Sequence, residues 1–301
     1  MFFAGWQGWT PPADSQRCPS VWGAGDERGS MNRQAPDVIL KAARLIRTGE
    51  IFELGHVLSG TIPMVGTRRF DLHTKRTFMN PQPNRRGSNE EIIILELGQV
   101  GTQFDGFTHQ TMGNSMYHCF KVDETVTRSG FTKLGVEKVG MVFTRGVLID
   151  VAGLKDIQML EASYEITTDD LQQALTRQNV SLQPGDAILI RTGWSRLWDT
   201  DGARYAVSSP GIGVAAAQWL AGREPILVGS DTGPVEISPN PNPELSLPVH
   251  QIMLVVNGIH VLENLRLEEL AARSIYEFAF AMQPLKIQGG TGSTVAPAAI
   301  R

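Results

Sequence analysis

Pro184-Gly185-Asp186-Ala187-Ile188-Leu189-Ile190-Arg191 decides the fold class. Proline presets φ, glycine tolerates positive φ and aspartate bonds its own backbone, so Pro-Gly-Asp reads as a turn. The run from Ala187 to Arg191 is apolar and lacks the alternation of a strand with one wet face, so it predicts a strand buried on both sides. Upstream, Thr167 followed by Asp170 makes a capping-box pattern, and Leu171, Ala174 and Leu175 continue a helix. Downstream, Gly213 to Leu220 reads as a short helix stopped by Gly222, and Pro225-Ile226-Leu227-Val228-Gly229 returns as a strand. Further out, Val147 to Val151 and Glu91 to Leu97 are apolar runs of strand length. Tyr276 to Met282 reads as a long strand, although its mixed apolar character also suits a helix. A helix over 36–48 opens at Pro36, carries Val38, Ile39, Ala42, Leu45 and Ile46 on one face, and can end at Gly49. Short buried strands alternating with helices predict a mixed α/β domain, with helices packed on sheet faces. Nothing between residues 36 and 301 separates two folding units. Residues 1–35, rich in Gly, Pro and Trp, read as an irregular amino-terminal arm, and Pro239-Asn240-Pro241-Asn242-Pro243 as an ordered loop near a site.

Composition narrows the function classes. A chain of 301 residues that is 42% apolar can bury a sizeable core. Net charge is −4 with the two signs interspersed, so there is no basic stripe to bind nucleic acid. No apolar run reaches the roughly 18 residues of a membrane span. The start Met1 to Trp6 lacks a basic leader and a small-residue cleavage site, so a cytoplasmic protein is expected. Cys18 and Cys119 lie far apart and in no CxxC pattern, and in that compartment they are expected as two reduced thiols.

Chemistry concentrates in two places. Gln99-Val100-Gly101-Thr102-Gln103-Phe104-Asp105-Gly106-Phe107-Thr108-His109 follows an apolar strand and offers an amide oxygen, a carboxylate and an imidazole. These suit a hard or borderline divalent cation, or else a polar loop that satisfies its own backbone. The second cluster, His250, His260 and Glu263, brackets the apolar Ile252 to Val256, so its polar groups can meet at one end of a core. Alternatively His250 starts a helix and Glu263 is a solvated charge. Asp231, just after a predicted strand, either lines a crevice or makes an Asx turn. Gly289-Gly290-Thr291-Gly292-Ser293 lacks the Lys-Ser/Thr ending of a P-loop, and no Gly-x-Ser-x-Gly elbow occurs. Arg68, Arg69, Arg85 and Arg86 read as solvated loop charges rather than carboxylate receptors. Of the remaining histidines, His56 follows a strand-like segment, His73 lies in a basic loop, and His118 adjoins Cys119, which reads as a structural cysteine.

In this order and context the two clusters resemble the cyclase family, which includes kynurenine formamidases and isatin hydrolases. The first resembles that family's His-x-Gly-Thr-His-x-Asp-x-x-x-His signature, and the second its downstream His and Glu. Trp22 to Asn32, Asn257 to Leu265 and the closing Thr291-Gly292-Ser293 with Pro297 are also similar to longer members, which often read Gly-Thr-Gln-x-Asp-Gly. The resemblance runs from about residue 21 to the end. It implies a single compact domain of swivelling β/β/α type, assembled as a homodimer or homotetramer, that binds Zn²⁺ or Mn²⁺ and hydrolyses amide bonds in small aromatic or cyclic substrates. By position, Gln103, Asp105, His109, His250 and Glu263 would hold metal, with His109, Asp105 and Glu263 also catalytic. The sequence departs from the signature at Gln99 and Gln103, which stand where ligand histidines are expected. A neutral amide oxygen suits Mn²⁺ or Mg²⁺ better than Zn²⁺, so at most one metal, bound less tightly, or none is expected.

The resulting expectation is metal-assisted hydrolysis of a non-peptide carbon–nitrogen bond. The cation would bring the pKa of a water from ~15.7 toward about 7. His109, a group whose unperturbed pKa is about 6.5, would move the proton. Trp22, Phe104 and Phe107 would wall an aromatic substrate pocket, with Asp231 in contact with the substrate. Two rivals stand beside it: a metal-free lyase or cyclase that uses His109 and Asp105, and a catalytically silent ligand-binding protein on the same fold.

Overall fold

The computed structural model describes residues 8–301, so the apolar start Met1 to Trp6 lies outside the described residues. The strands that matter here are β1 (Ile51–Glu53), β2 (Phe70–Met79), β3 (Gly87–Leu95), β4 (Gln103–Asp105), β5 (Val142–Asp150) and β6 (Ala187–Arg191). They continue with β7 (Leu227–Ser230), β8 (His260–Glu263), β9 (Glu277–Met282), β10 (Gly292–Thr294) and β11 (Ala298–Ile300). Helices α1 (Pro36–Ala43), α2 (Thr168–Gln178), α3 (Gly202–Val207), α4 (Val214–Ala221) and α5 (Glu268–Ala272) surround them.

Nine strands make one mixed sheet in the order β1-β11-β9-β5-β6-β7-β8-β4-β10. Its middle, β5-β6-β7-β8, is parallel, and the flanks are antiparallel. The runs Val147–Ile149, Ala187–Ile190, Leu227–Val228 and Val261–Leu262 at the centre are apolar without alternation because both faces are covered. Ile188 and Ile190, with Val147, Ile149, Val228 and Val261, pack on Leu171, Ala174 and Leu175 of α2 and on Ala216, Ala217 and Leu220 of α4. One residue along, Leu148, Leu189, Leu227 and Leu262 pack the other way, against Phe278, Phe280, Leu267 and Leu270. Fully burying a side chain of this size contributes about 1.5–3 kcal/mol, so these two layers dominate the stability of the domain. Gly146 lies opposite Phe278 across the β5/β9 pair, and a Cβ there would come within 2.1 Å of the phenyl ring, so the close strand approach depends on the glycine.

The mixed α/β class and the α2 capping box are as expected: Thr167 Oγ1 accepts the Asp170 N–H at 3.1 Å, and Asp170 Oδ2 accepts the Thr167 N–H at 3.0 Å. Other expectations change. The helix from Pro36 stops at Ala43, because Leu45 and Ile46 donate to carbonyls three residues back and the turn tightens out of α geometry. The Tyr276 to Met282 run is the strand β9. The Glu91 to Leu97 run is not a core strand. It belongs to β3, which pairs only with β2 in a two-stranded ribbon that leaves Ile92, Ile93 and Ile94 exposed, and His73 lies on β2 rather than in a loop.

The expectation of reduced thiols is also overturned. Cys18 and Cys119 form a disulfide with their Cα atoms 6.1 Å apart. It ties the arm to the turn at Tyr117–Cys119, where His118 Nδ1 accepts the Ser20 N–H at 2.7 Å. Tyr117 and Ser20 both donate to Asp26 Oδ2 nearby. The arm is therefore irregular in conformation but specifically fastened.

Candidate active site

Strand pairing brings the two clusters together. β4 runs antiparallel to β8, with Gln103 opposite Glu263 and Asp105 opposite Val261. Side chains alternate along a strand, so Gln103, Asp105 and Glu263 share one face while Phe104, His260 and Leu262 point to the other. Gly106 then turns the chain. Its N–H meets Thr291 O at 2.9 Å, and a Cβ would come equally close to that oxygen. The His109 N–H closes the turn onto Gly106 O at 3.1 Å, which returns the imidazole toward the face that carries Asp105.

His250 arrives from the opposite side. It ends the short helix Pro248–His250, which continues as a π-helical turn over Gln251–Val256. Glu236 accepts the N–H groups of Val249 and His250 at 3.1 and 3.0 Å, a carboxylate seated on a helix start. Its Oε1 also takes the ring Nδ1–H of His250 at 2.6 Å, which leaves Nε2 facing the site. That nitrogen lies 3.1 Å from Glu263 Oε1 and 3.6 Å from Asp105 Oδ2. Burial works against a charge on this ring, but the surrounding carboxylates of Asp105, Glu236 and Glu263 outweigh it and raise its pKa well above the usual histidine value. Glu263 is held by the Gln103 side-chain N–H at 3.0 Å and the Val235 N–H at 2.9 Å.

Asp105, His109 and His250 each offer a ligand atom within 4.8 Å of the others. Gln103 Oε1 and Asp105 Oδ2 are buried acceptors with no hydrogen-bond partner. An unpaired buried acceptor costs about 1–3 kcal/mol, and a cation bound between these two would satisfy both. The donor set of carboxylate, imidazole and amide oxygen therefore fits a divalent ion.

Beside this cluster lies a cavity of about 210 Å³. Gln103, His109, His250 and Glu263 line its floor, Pro63, Met64, Val65 and Leu247 give it apolar wall, and Tyr205 and Arg68 complete it. A larger cavity of about 560 Å³, between Trp9 and Pro12 of the arm, α4 and the loop of Asn240, Pro241 and Asn242, has Glu165 as its sole charged lining residue. It offers no acid–base pair, so the smaller cavity is the candidate active site.

Several expected site residues lie elsewhere. Phe104, on the far face of β4, and Phe107, beyond the strand's end, are core residues, with ring centroids 4.6 and 4.1 Å from that of His260. His260 donates Nδ1–H to Asp105 O at 3.2 Å, and burial pushes its pKa down to about 4. Asp231 does not line this cavity. It accepts from Thr192 N, Thr192 Oγ1 and Gly193 N at 2.7–2.8 Å, pinning the loop after β6 to that after β7, and burial raises its carboxyl to about 6. Trp22 is exposed under the Arg33 guanidinium and lines a different cavity with Tyr117 and Asn257. Arg68 reverses in the other direction, since it is half-buried at the active-site cavity rather than solvated. Its Nη2 donates to Gln99 Oε1 at 2.7 Å, which turns the Gln99 amide N–H toward His109 Nδ1 at 3.2 Å and Asp105 Oδ1 at 3.4 Å. Gln99 is thus a donor to the site and not a ligand. Glu236 and Arg68 are the functional residues that the sequence reading missed. Glu236 stood in the same segment as Asp231, but nothing local linked it to His250.

The Cyclase family model matches residues 52–237. The chain belongs to the Cyclase family. A crystal structure described as a novel cyclase is 31% identical, with a TM-score of 0.86, over 97% of this chain and 100% of that one. Isatin hydrolase A from Ralstonia solanacearum has the same fold at 23% identity and a TM-score of 0.59, over 88% of this chain and 97% of its own. So does a predicted metal-dependent hydrolase from Bacillus stearothermophilus, at 18% identity and a TM-score of 0.54, over 84% and 98%. No curated protein sequence matches the chain. In this Cyclase-family chain, β4, β8 and the short helix that ends at His250 carry the candidate site residues.

Proposed function

We propose that the protein is a metal-dependent hydrolase of a non-peptide carbon–nitrogen bond, an amide or cyclic amide in a small, aromatic substrate. The observation that carries this is the pair of orphaned buried acceptors, Gln103 Oε1 at the cavity and Asp105 Oδ2 in the cluster with His109 and His250. Gln103, Asp105 and His250 would hold the ion, and the amide oxygen among them favours Mn²⁺ over Zn²⁺. A bound cation supplies acidity to water and positive charge to a developing oxyanion. Glu236 keeps the Nδ1 proton of His250, so Nε2 is the atom it presents. Glu263 anchors Gln103 and so fixes which way its carbonyl oxygen points. His109, the more exposed imidazole, does the proton transfer. Gln99 Nε2 lies 3.2 Å from Nδ1 and 3.5 Å from Nε2 of His109 and so orients the ring. The imidazole takes the proton of the attacking water as oxygen bonds to the carbonyl carbon, and the imidazolium then gives a proton to the leaving nitrogen as the C–N bond breaks.

Elemental mass spectrometry of the purified protein tests the metal. About one Mn or Zn per chain, lost in Gln103→Ala and in Asp105→Ala, is the expected result. No metal in the wild type, even after Mn²⁺ or Zn²⁺ is supplied, sinks the mechanism. Gln99 favours a second reading, a metal-free lyase or cyclase, because its donor amide stands where the family signature places a ligand. In that case a chelator leaves turnover intact while His109→Ala still abolishes it. A His109→Ala change that affects ligand affinity alone would leave only a binding protein. For assembly we propose a homodimer built on the exposed apolar ribbon β2–β3, with a homotetramer as its possible doubling.

A further inference from the structure

Arg68 is the one Lys or Arg among the described residues that line the active-site cavity. It is half-buried, and among the described residues no carboxylate lies within ion-pair distance of it. Its one side-chain hydrogen bond, Nη2 to Gln99 Oε1, engages one of five guanidinium N–H groups. Of the site's carboxylates, Glu236 and Glu263 are committed to His250, Gln103 and backbone N–H groups, and the Gln99 carboxamide stands between Arg68 and Asp105. A guanidinium carries a planar fork of donors that matches a carboxylate, and holding one half-buried without a counter-charge is costly unless a ligand provides it. The Val65–Arg68 turn fixes where the fork sits, since the Arg68 N–H meets Val65 O at 3.4 Å, and places apolar Met64 and Val65 beside it. A single carboxamide, that of Gln99, separates Arg68 from His109.

We infer that Arg68 receives a carboxylate of the substrate, and that the substrates are amides carrying an anionic carboxylate within a few atoms of the scissile C–N bond. The inference rests on the hydrolase reading for the reacting group but not for the anion contact. Arg68 is then a specificity residue. It binds and orients the molecule, and His109 works on the neighbouring amide.

The test is calorimetric binding of benzoate and its neutral counterpart benzamide to the full chain. Wild-type protein should bind benzoate roughly 10- to 100-fold more tightly, the range of a hydrogen-bonded charge pair. Arg68→Gln keeps an N–H donor for Gln99 Oε1 and removes the charge, so it should bring the two affinities within about twofold. Arg68→Lys should keep part of the preference, because a point charge replaces the fork. Equal affinities in the wild type, no benzoate binding, or a preference that survives in Arg68→Gln each overturn the assignment. Survival would place the anion at His250 or on a metal. Turnover of N-formylanthranilate and formanilide is the second readout: Arg68→Gln should raise KM for the first about tenfold or more beyond any change in KM for the second. A chain that selects benzoate through Arg68 and hydrolyses neither amide refutes the hydrolase reading alone. One that hydrolyses both equally well refutes the Arg68 assignment alone.

Discussion

His56 lies flat on Trp198, with ring centroids 4.1 Å apart and planes 14° from parallel, and its Nε2 is buried without a partner. Burial pushes its pKa down to about 3, and the nearby charge of Arg266 adds to this. In the unfolded chain a histidine titrates near 6.5, so below that pH the unfolded state takes up a proton that the folded state refuses. Stability is therefore lost as pH falls from 6.5 toward 3, by roughly 2 kcal/mol at pH 5 from this residue alone. Asp231 acts with the opposite sign: its folded pKa of about 6 exceeds the ordinary carboxyl value of 3.8, so its contribution is present below 3.8 and lost as pH rises through 6. The two partly cancel in the wild type, which is why a variant is needed to see either. His56→Phe keeps the stacked ring and removes the titration. Urea unfolding at pH 7.5 and pH 5 should show a stability loss on acidification about 2 kcal/mol smaller in the variant. An identical loss in both proteins would mean that His56 titrates normally.

Among the elements, the arm depends most on contacts far away in sequence. Its disulfide spans 101 residues, and His118 and Tyr117 grip Ser20 and Asp26 from the same turn. Replacing both cysteines (Cys18→Ala with Cys119→Ala) should cost roughly 2–5 kcal/mol of unfolding free energy, because the unfolded chain regains the entropy of a long open loop. A melting temperature unchanged by the double replacement or by reductant would show that the hydrogen bonds alone hold the arm. Such long-range ties are what a local reading of sequence cannot reach. Ala187 to Arg191 and Leu227 to Ser230 were legible because burial on both faces writes a continuous apolar run. Thr167 and Asp170 were legible because a capping box is complete within four residues. Ile92, Ile93 and Ile94 write the same kind of run and form an exposed ribbon, since an apolar segment does not name the surface that covers it. The same limit governs the site. Gln103, Asp105, His109, His250 and Glu263 stood out as polar groups beside apolar strands; the pairing of β4 with β8 unites Gln103, Asp105 and Glu263, and the turn after Gly106 and the helix ending at His250 add the two histidines. Phe104 and Phe107 went astray because strand register decides which way they face. Arg68 sits 31 residues from its partner Gln99, and Glu236 sits 14 from His250, with no motif joining either pair.

For the whole molecule, the ribbon β2–β3 is where apolar side chains stay exposed side by side among the described residues. Leu72 pairs with Ile93 on one face, and Ile92 and Ile94 occupy the other, each between 42% and 52% exposed. A lone two-stranded hairpin is marginal in water, and an apolar surface on both of its sides needs cover to persist. Among the described residues, Phe70 and Leu95 at its base pack toward Trp194 and Trp198, while Leu72, Ile92, Ile93 and Ile94 stay exposed. A second copy of the chain is the simplest occupant, because a two-fold axis brings the same apolar face to itself and one patch serves both partners. Light scattering should then give the wild-type protein the mass of a dimer, or of twice a dimer, at micromolar concentration. Ile92→Lys combined with Ile94→Lys sets like charges against each other across that axis and should release monomers, with little change in the monomer's own core because both side chains are exposed. A monomeric wild type, or a doubly charged variant whose mass does not fall, would take the interface away from this ribbon.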